Sequence, residues 1–362
     1  MMQNKFNDRS TAARIIKQIR SLSGNKKIKL MHICGTHEQA ITKNGLRGLL
    51  PENLEVVPGP GCPVCITPAQ EIDQAIHLSR CGVIITTYGD MLCVPGSSSS
   101  LVKEKASYGD IRIVYSPLEA VEIAKKNPEK DVVFMGIGFE TTVPMTAQVL
   151  CNDPPENFSV LCSHRLVPPA MELLLNGDNR IDGFIDPGHV SAIIGTAPYI
   201  PISEKYHIPQ VISGFEPLDV LMSIFMLLRQ INNGIAKVEN EYIRVVKPEG
   251  NIHARKLMSE VFKKCSKQWR GFPVIPDASL KIRAEFSEHD AENRFDFEPS
   301  EGGGADCPQC GNILKGLSNP GDCELYGKLC TPENPVGACM VSSEGTCNIA
   351  YRYGNLLYGD LL

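Results

Sequence analysis

The chain has 362 residues, of which 43% are hydrophobic and 21% are charged, as in ordinary soluble globular proteins. At roughly 150 residues per domain, this length indicates two or three domains. The net charge of -5 argues against a nucleic-acid surface, because such a surface needs a basic field to gather phosphates. The N-terminus shows no secretory signal, and no apolar segment approaches the ~20 residues that span a bilayer. We therefore expect a cytoplasmic protein with no nucleic-acid or membrane partner.

Short apolar segments alternate with amphipathic ones from about residue 28 to residue 231. This pattern is typical of parallel sheets whose two faces are covered by helices. The predicted strands are 28–34, 54–57, 82–87, 112–115, 132–136, 159–163, 183–185 and 210–213. The main predicted helices are 67–80, 117–127, 142–150, 217–231 and 252–265. The fold class is therefore α/β.

The α/β region looks duplicated, since segments 32–38 and 136–142 both read as a strand, a tight turn and a capped helix. We expect two similar parallel-sheet domains of about four strands each, over residues 1–127 and 128–240. Residues 241–362 are the third domain, and its last part is rich in Gly, Pro and Cys. Such a segment cannot bury enough apolar surface to hold itself together, so we expect its cysteines to cross-link it through a metal.

Six of the 14 cysteines lie near the C-terminus: Cys307, Cys310, Cys323, Cys330, Cys339 and Cys347. In a reducing compartment clustered cysteines are more often metal ligands or redox thiols than structural disulfides. The last four form the usual ligand set of a [4Fe–4S] cluster. Cys307 and Cys310 then remain as a Cys-x-x-Cys dithiol pair beside the cluster. Zinc on the first four cysteines is the alternative that the spacing leaves open.

Three further cysteines lie where strand-like segments pass into predicted helices. Cys34 ends the first strand, and Cys62 and Cys65 follow a Pro-Gly-Pro-Gly turn. Thr36 and Thr67 are the predicted caps of the helices that follow. Helix N-termini lower thiol pKa values, and the carboxyl ends of parallel strands bind ligands. Three soft sulfur ligands suit iron or zinc, while a thioredoxin-like dithiol at Cys62 and Cys65 and a structural role for Cys34 stay open.

Polar residues near the same strand ends are further candidates. His37 adjoins the Cys34 turn, Glu140 occupies the equivalent turn of the second half, and His189 follows a later strand. His37 and its neighbour Glu38 are suited to orient a ligand or carry a proton, and His189 is expected to face the same cleft; each histidine also fits a purely structural role. The Gly136-Ile-Gly138 turn lacks the third glycine of a dinucleotide site and the lysine of a P-loop, so nucleotide binding is not expected.

Long motifs in the chain resemble the HypD family of [NiFe]-hydrogenase maturation proteins. They include Cys-Gly-Thr-His-Glu at 34–38, Pro-Gly-Pro-Gly-Cys-Pro-Val-Cys at 58–65, Gly-Phe-Glu-Thr-Thr at 138–142, Pro-Gly-His-Val-Ser at 187–191 and Gly-Ala-Cys-Met-Val-Ser-Ser-Glu-Gly at 337–345. The resemblance spans about residues 10–357. It implies two similar α/β domains and a cluster-bearing domain that resembles ferredoxin–thioredoxin reductase.

The resemblance also implies a function and its residues. With a small HypC-type chaperone, the protein would be the scaffold on which an iron with two cyanides and one carbonyl, Fe(CN)2CO, is assembled; a HypE-type protein would supply the cyanides. The family's iron-site cysteines correspond to Cys34, Cys62 and Cys65. Its [4Fe–4S] ligands correspond to Cys323, Cys330, Cys339 and Cys347. The cluster would deliver electrons to nearby thiols.

The expected activity is therefore that of an assembly scaffold with a redox role, and the sequence does not decide whether the protein turns over as an enzyme. Two other functions remain open. The first is an iron–sulfur-dependent thiol/disulfide oxidoreductase that works through Cys62 and Cys65. The second is a zinc-stabilised binding module without redox chemistry.

Overall fold

The structure is a computed structural model that describes residues 8–177, 180–297 and 307–354. The strands in these residues are β1 (Ile28–His32), β2 (Leu54–Pro58), β3 (Ile84–Thr87), β4 (Ile111–Ile113), β5 (Val132–Gly138), β6 (Phe158–His164), β7 (Gly183–Pro187), β8 (Gln210–Ser213), β9 (Val238–Asn240), β10 (Phe262–Gln268) and β11 (Val274–Ile282). All eight predicted strands are present.

The α-helices of the described residues begin with α1 (Arg9–Ser23), α2 (Gly35–Lys43), α3 (Pro63–Ile66), α4 (Ala69–Arg80), α5 (Leu101–Ala106), α6 (Pro117–Lys126), α7 (Val143–Leu150) and α8 (Val167–Leu175). They continue with α9 (Gly188–Ile194), α10 (Ile200–Tyr206), α11 (Pro217–Asn232), α12 (Ile252–Val261), α13 (Ala291–Arg294), α14 (Cys310–Leu314), α15 (Ala338–Val341) and α16 (Thr346–Tyr353). None of the helices in these residues is long and apolar enough to cross a membrane.

Two parallel sheets organise the molecule. The first has the strand order β2-β1-β7-β8-β9 and the second the order β4-β3-β5-β6. Every pairing within these two sheets is parallel, whereas β10 and β11 form a separate antiparallel pair. Strands such as β5 and β6 are buried along their whole length, as expected when helices cover both faces. The predicted α/β class with two parallel sheets is confirmed.

The prediction assumed that the strands before residue 127 form one sheet and those after it form the other. The strands of the structure do not follow this order. β3 and β5 lie on opposite sides of the predicted boundary at residue 127, yet they pair with each other. β1 pairs with β7, so the first sheet takes strands from both ends of the α/β region and the second sheet is inserted between them. Strand order depends on contacts between distant segments, which periodicity does not report. The domain bounds themselves remain a prediction.

The predicted helix over 252–265 is shorter than expected. α12 ends at Val261, and the next residue begins β10. β10 pairs with β11, and the register joins Phe262 to Ile282 and Lys264 to Leu280. The distant strand supplies hydrogen bonds that override the local helical pattern, because tertiary context outweighs intrinsic propensity.

The largest cluster of buried apolar side chains links the two sheets to the C-terminal segment. It joins Met31 of the first sheet, Ile137 of the second, Trp269 and Met340. The cysteine-rich segment is therefore packed against the sheets.

Candidate functional site

Cys34 and Cys62 each cap a helix that directly follows a strand of the first sheet. Cys34 is the N-cap of α2 after β1, and Cys62 is the N-cap of α3 after β2. The Cys62 sulfur accepts a hydrogen bond from the backbone N–H of Cys65 at 3.2 Å. β1 and β2 are parallel neighbours, and the N–H of Gly35 donates to the carbonyl of Gly61 at 3.2 Å. The structure thus places the three predicted cysteines at one edge of the sheet.

Neither Thr36 nor Thr67 is the N-cap that the sequence predicts, since Cys34 and Pro68 occupy those positions. Because Cys34 is the N-cap of α2, Thr36 lies inside the helix and its hydroxyl donates to Glu344 Oε1 at 3.3 Å. Thr67 ends α3 instead of opening α4, and its hydroxyl donates to the carbonyl of Pro63 at 2.9 Å. Hydroxyl side chains bond whichever backbone or side-chain group lies nearest, and here those partners differ from the ones that the local motif predicts.

Cys62 and Cys65 are joined by a disulfide in this structure, with their Cα atoms 5.3 Å apart. Both residues are buried. The pair therefore has the bond that the dithiol interpretation requires. Iron binding by the same two residues requires the disulfide to be reduced first, because the thiolate is the metal ligand.

Cys34 is a free thiol that is 2% exposed, and its sulfur lies 3.8 Å from Nδ1 of His189. Burial raises the pKa of Cys34 to about 12, and the charge of Glu344 adds to the effect. The backbone N–H groups of Thr36 and His37 favour the thiolate, yet burial outweighs them. The expectation of a lowered pKa at this helix start is therefore wrong for Cys34. A bound cation would reverse this balance by stabilising the thiolate.

Two histidines border Cys34, of which His37 is buried and His189 is half-buried. Nε2 of His37 donates to the carbonyl of Gly214 at 2.9 Å, and the rings of His37 and His189 lie 5.0 Å and 5.1 Å from the Phe215 ring. Burial lowers the pKa of His37 to about 3 and that of His189 to about 4. Both imidazoles are therefore neutral near pH 7, when each ring can accept as well as donate a proton.

A group of buried polar side chains near Cys34 includes residues that the sequence analysis does not single out. Asp186 lies near the end of β7 with both carboxyl oxygens unpaired within the described residues, and burial raises its pKa well above the usual value. Tyr199 Oη lies 3.1 Å from Ser191 Oγ. After burial, the charges of Asp186, Glu140 and Cys34 raise the Tyr199 pKa further, so these groups lie near one another. The signal for Asp186 in the sequence is its position after a predicted strand and directly before the Pro-Gly-His-Val-Ser motif at 187–191.

The six C-terminal cysteines lie close together. Cys307 is half-buried and the other five are buried. A hydrogen bond from Cys310, followed by burial, raises the pKa of Cys339 well above its usual value. Burial and the neighbouring cysteines of the segment raise the pKa of Cys347. Cys310 therefore lies beside Cys339 in the structure. The predicted dithiol pair and the predicted cluster ligands form one group of cysteines.

This group fits an iron–sulfur cluster by its donor chemistry. No three Cys, His, Asp or Glu side chains in residues 8–177, 180–297 and 307–354 are arranged as a complete metal site. The thiols are nevertheless buried, mutually close and the ligands that iron–sulfur clusters use. Burial disfavours their charged form, and bound iron would supply the compensating positive charge.

The C-terminal segment closes over both parts of the N-terminal cysteine site. The Cys65 sulfur lies 3.9 Å from the carbonyl oxygen of Ala338, the residue before Cys339. A side chain on Gly35 would collide with Glu344, since an added Cβ would lie less than 3.0 Å from the Glu344 Cβ. The two cysteine groups therefore meet through backbone contact.

The sequence profile of the HypD family, described as "Hydrogenase formation hypA family", matches residues 10–354. The chain belongs to this family. A putative hydrogenase expression/formation protein of Methanocaldococcus jannaschii is 51% identical over 353 residues, which cover 96% of this chain and 98% of the relative. The hydrogenase maturation factors HypD of Cupriavidus necator and Azotobacter vinelandii are 46% and 45% identical, each over 97% of this chain and 96% of the relative.

Four of the five HypD motifs that carried the resemblance converge on one place in the structure. Segments 34–38 and 58–65 meet at the ends of β1 and β2, and His189 of segment 187–191 lies beside Cys34. Segment 337–345 covers them through Ala338 and Glu344. Motifs separated by hundreds of residues thus form one site.

Proposed function

We propose that this protein acts in hydrogenase maturation as the scaffold on which the Fe(CN)2CO group of a [NiFe] active site is assembled. The iron is the cargo, and Cys34, Cys62 and Cys65 would hold it. The observation that carries the proposal is that β1 and β2 bring these three cysteines to adjoining helix starts. Membership of the HypD family and the names of its relatives support the same role.

Before it can bind iron, the Cys62–Cys65 disulfide must take up two electrons and two protons to give two thiols. A [4Fe–4S] cluster held by Cys323, Cys330, Cys339 and Cys347 would supply electrons singly. The contact of Cys65 with Ala338 supports this arrangement, since it places the disulfide against the backbone of the cysteine-rich segment.

Cys34 must lose its proton when it binds iron, because the thiolate is the ligand. His189 Nδ1, 3.8 Å from the sulfur, is placed to receive that proton in the tautomer that leaves Nδ1 free. His37 is held to Gly214 by its other ring nitrogen and supports the site by packing. Its predicted supporting role stays part of the proposal.

A HypC-type chaperone and a HypE-type cyanide donor are the proposed partners. Cys34 is 2% exposed and Cys65 0%, so neither sulfur can meet a partner while the C-terminal segment covers it. Loading therefore requires residues 337–345 to move away from α2 and α3. The segment is held to α2 by a side-chain hydrogen bond at Thr36, and Met340 of the same segment is buried in the largest apolar cluster, so this movement must also break apolar packing.

The test is to purify the protein anaerobically with its partners and record visible and infrared spectra. Cys34→Ser, Cys62→Ser and Cys65→Ser should each abolish the cyanide and carbonyl bands and retain the cluster absorbance. Ser is a poorer ligand for Fe(II) than the thiolate, and the sheet's packing is unchanged. Cys81→Ser, at an exposed cysteine, is the control and should retain both. Cyanide bands in all three variants would exclude these cysteines as iron ligands.

The cluster is tested separately by metal analysis. We expect about four irons and four sulfides per chain, the content of one [4Fe–4S] cluster. Cys323→Ser, Cys330→Ser, Cys339→Ser and Cys347→Ser should each bleach the protein. The double variant Cys307→Ser with Cys310→Ser should stay brown. Because Cys310 contacts Cys339, bleaching of the double variant would place Cys310 or Cys307 in the ligand set instead.

The disulfide observed between Cys62 and Cys65 favours one second candidate, an iron–sulfur-dependent thiol/disulfide oxidoreductase. This function predicts catalytic turnover with an added disulfide substrate and no cyanide bands. The spectra of the partner-loaded protein therefore separate it from the scaffold.

A further inference from the structure

A second concave site lies away from the three N-terminal cysteines. It is a cleft of about 680 Å³ between α8, α10, α12 and the β10–β11 pair. Small-molecule sites have volumes of roughly 300–1,000 Å³, whereas a stable protein interface buries a broad surface of about 800 Å² on each partner. Its volume thus matches a small ligand.

The walls of the cleft are apolar and stiff. Leu280 and Phe262 lie within it and are at most 5% exposed. Pro168, Pro169 and Pro201 lie in the first turns of α8 and α10, where the proline ring fixes the backbone. A rigid apolar wall lowers the entropic cost of ordering the site around a ligand.

The rim of the cleft is positively charged in a chain whose net charge is -5. Arg255, Lys263, Lys264 and Arg283 line it. Lys264 is paired across the strands with Leu280, and cross-strand partners share a face, so both side chains line the cleft from the same face of the strand pair.

The two arginines leave their charge available to a ligand. Arg255 Nη1 donates to the carbonyl of Glu249 at 2.9 Å, and Arg283 Nε donates to the carbonyl of Ser259 at 3.0 Å. These bonds fix the side chains without neutralising them. Of the two acidic residues that line the cleft, Glu172 pairs with Lys205 at 3.2 Å, and burial raises the pKa of Glu140 to about 7, although the charge of Lys264 opposes this shift. Within the described residues, the rim therefore carries more positive than negative charge.

We propose that this cleft binds a small organic anion, with its apolar body against Leu280 and Phe262 and its acidic group at Lys264 and Arg255. Glu140 connects the cleft with the group of buried polar side chains near Cys34, because it lines the cleft and its charge acts on Tyr199. The ligand would contact the scaffold and not the iron, since Cys34 does not line the cleft.

The test uses two dyes of similar shape, the anionic 8-anilinonaphthalene-1-sulfonate and the uncharged N-phenyl-1-naphthylamine. The full-length protein should bind one equivalent of the anionic dye with a saturable rise in fluorescence. Lys264→Glu should weaken this binding at least about tenfold, because it turns one attraction into a repulsion. Binding of the uncharged dye should stay the same. Lys126→Glu makes the same change of charge at an exposed helix end and should affect neither dye.

A second variant tests the apolar wall without altering any charge. Ser259→Trp, at an exposed position on the rim, should fill the cleft and prevent binding of both dyes, with an unchanged circular-dichroism spectrum. Displacement by phenylacetate or by phenyl phosphate then distinguishes a carboxylate ligand from a phosphate ligand. The proposal is wrong if the anionic dye does not bind, or if Lys264→Glu and Ser259→Trp bind it as the unaltered protein does.

Discussion

Gly61 lies where the two cysteine-bearing strand ends come closest, and Gly61→Ala tests whether that approach is required. An added Cβ would lie less than 3.0 Å from the backbone of Cys34 and of Ile33. Real Cβ atoms essentially never show such distances, and here the obstructing atoms belong to backbone that cannot rotate away. Gly61→Ala must therefore separate the ends of β1 and β2 by about 1 Å.

The cost of this separation can be given for both stability and function. Overpacking a closely packed site costs about 1–3 kcal/mol. At an unfolding entropy of about 2.1 cal/mol/K per residue, a chain of 362 residues should melt roughly 1–4 °C lower. A displacement of about 1 Å in a reacting geometry can cost about 100-fold in rate, so Fe(CN)2CO should accumulate poorly. The measurements are thermal unfolding by circular dichroism and the infrared bands of partner-loaded protein.

Gly321→Ala is the matched control, because an added Cβ there meets nothing within 4 Å. Its backbone is not in the left-handed region, so alanine should leave stability unchanged or raise it by about 0.4–1 kcal/mol. The two variants differ only in what the methyl group meets. Equal melting temperatures and equal infrared bands in both would refute the requirement for close approach at Gly61.

Three further predictions follow from the burial of charged side chains and of thiols. Glu71→Gln removes the partner of Arg165, which is 0% exposed, and should cost about 3–5 kcal/mol in urea unfolding, whereas Glu122→Gln at the exposed Lys125–Glu122 pair should cost much less. Burial opposes ionisation of Glu71, but the charge of Arg165 lowers the Glu71 pKa below 4.5. The stabilisation that this ion pair provides should be complete above pH 4.5 and should be lost as the pH falls further. The difference in unfolding free energy between Glu71→Gln and the unaltered protein should therefore shrink below pH 4.5. Iodoacetamide should label exposed Cys81 in the folded protein and label Cys34 only after denaturation, as mass spectrometry would show.

The sheets could be predicted from the sequence because their strands are buried on both faces. A short, continuous apolar segment such as 132–136 is typical of a strand in the middle of a parallel sheet, and β5 indeed occupies Val132–Gly138. The order of the strands could not be predicted in the same way. That β3 pairs with β5 while β1 pairs with β7 depends on contacts over long sequence distances. The strand at Phe262–Gln268 was missed for the same reason, since its partner β11 stabilises it.

Part of the cysteine site could be predicted by the same reasoning. The placement of Cys34 and Cys62 at helix starts follows from strands that lie next to each other in a parallel sheet. The high pKa of Cys34 could not be predicted in this way, because it arises from burial in the folded chain, to which the charge of the distant Glu344 adds. Asp186 directly precedes the motif at 187–191, but its importance becomes visible only in its burial and its unpaired oxygens within the described residues. Whether the cysteines hold iron remains a prediction.

The insertion of one sheet into the other sets an order for folding during synthesis. The second sheet has all its strands once His164 has left the ribosome, but β1 waits for β7 at residue 183. At about 5–20 residues per second, β1 stays without that neighbour for roughly ten to thirty seconds. Residues 337–345, which cover Cys34 and Cys65, emerge later still. The nascent chain therefore exposes the sulfur atoms of Cys34 and Cys65 before the segment that covers them has been synthesised.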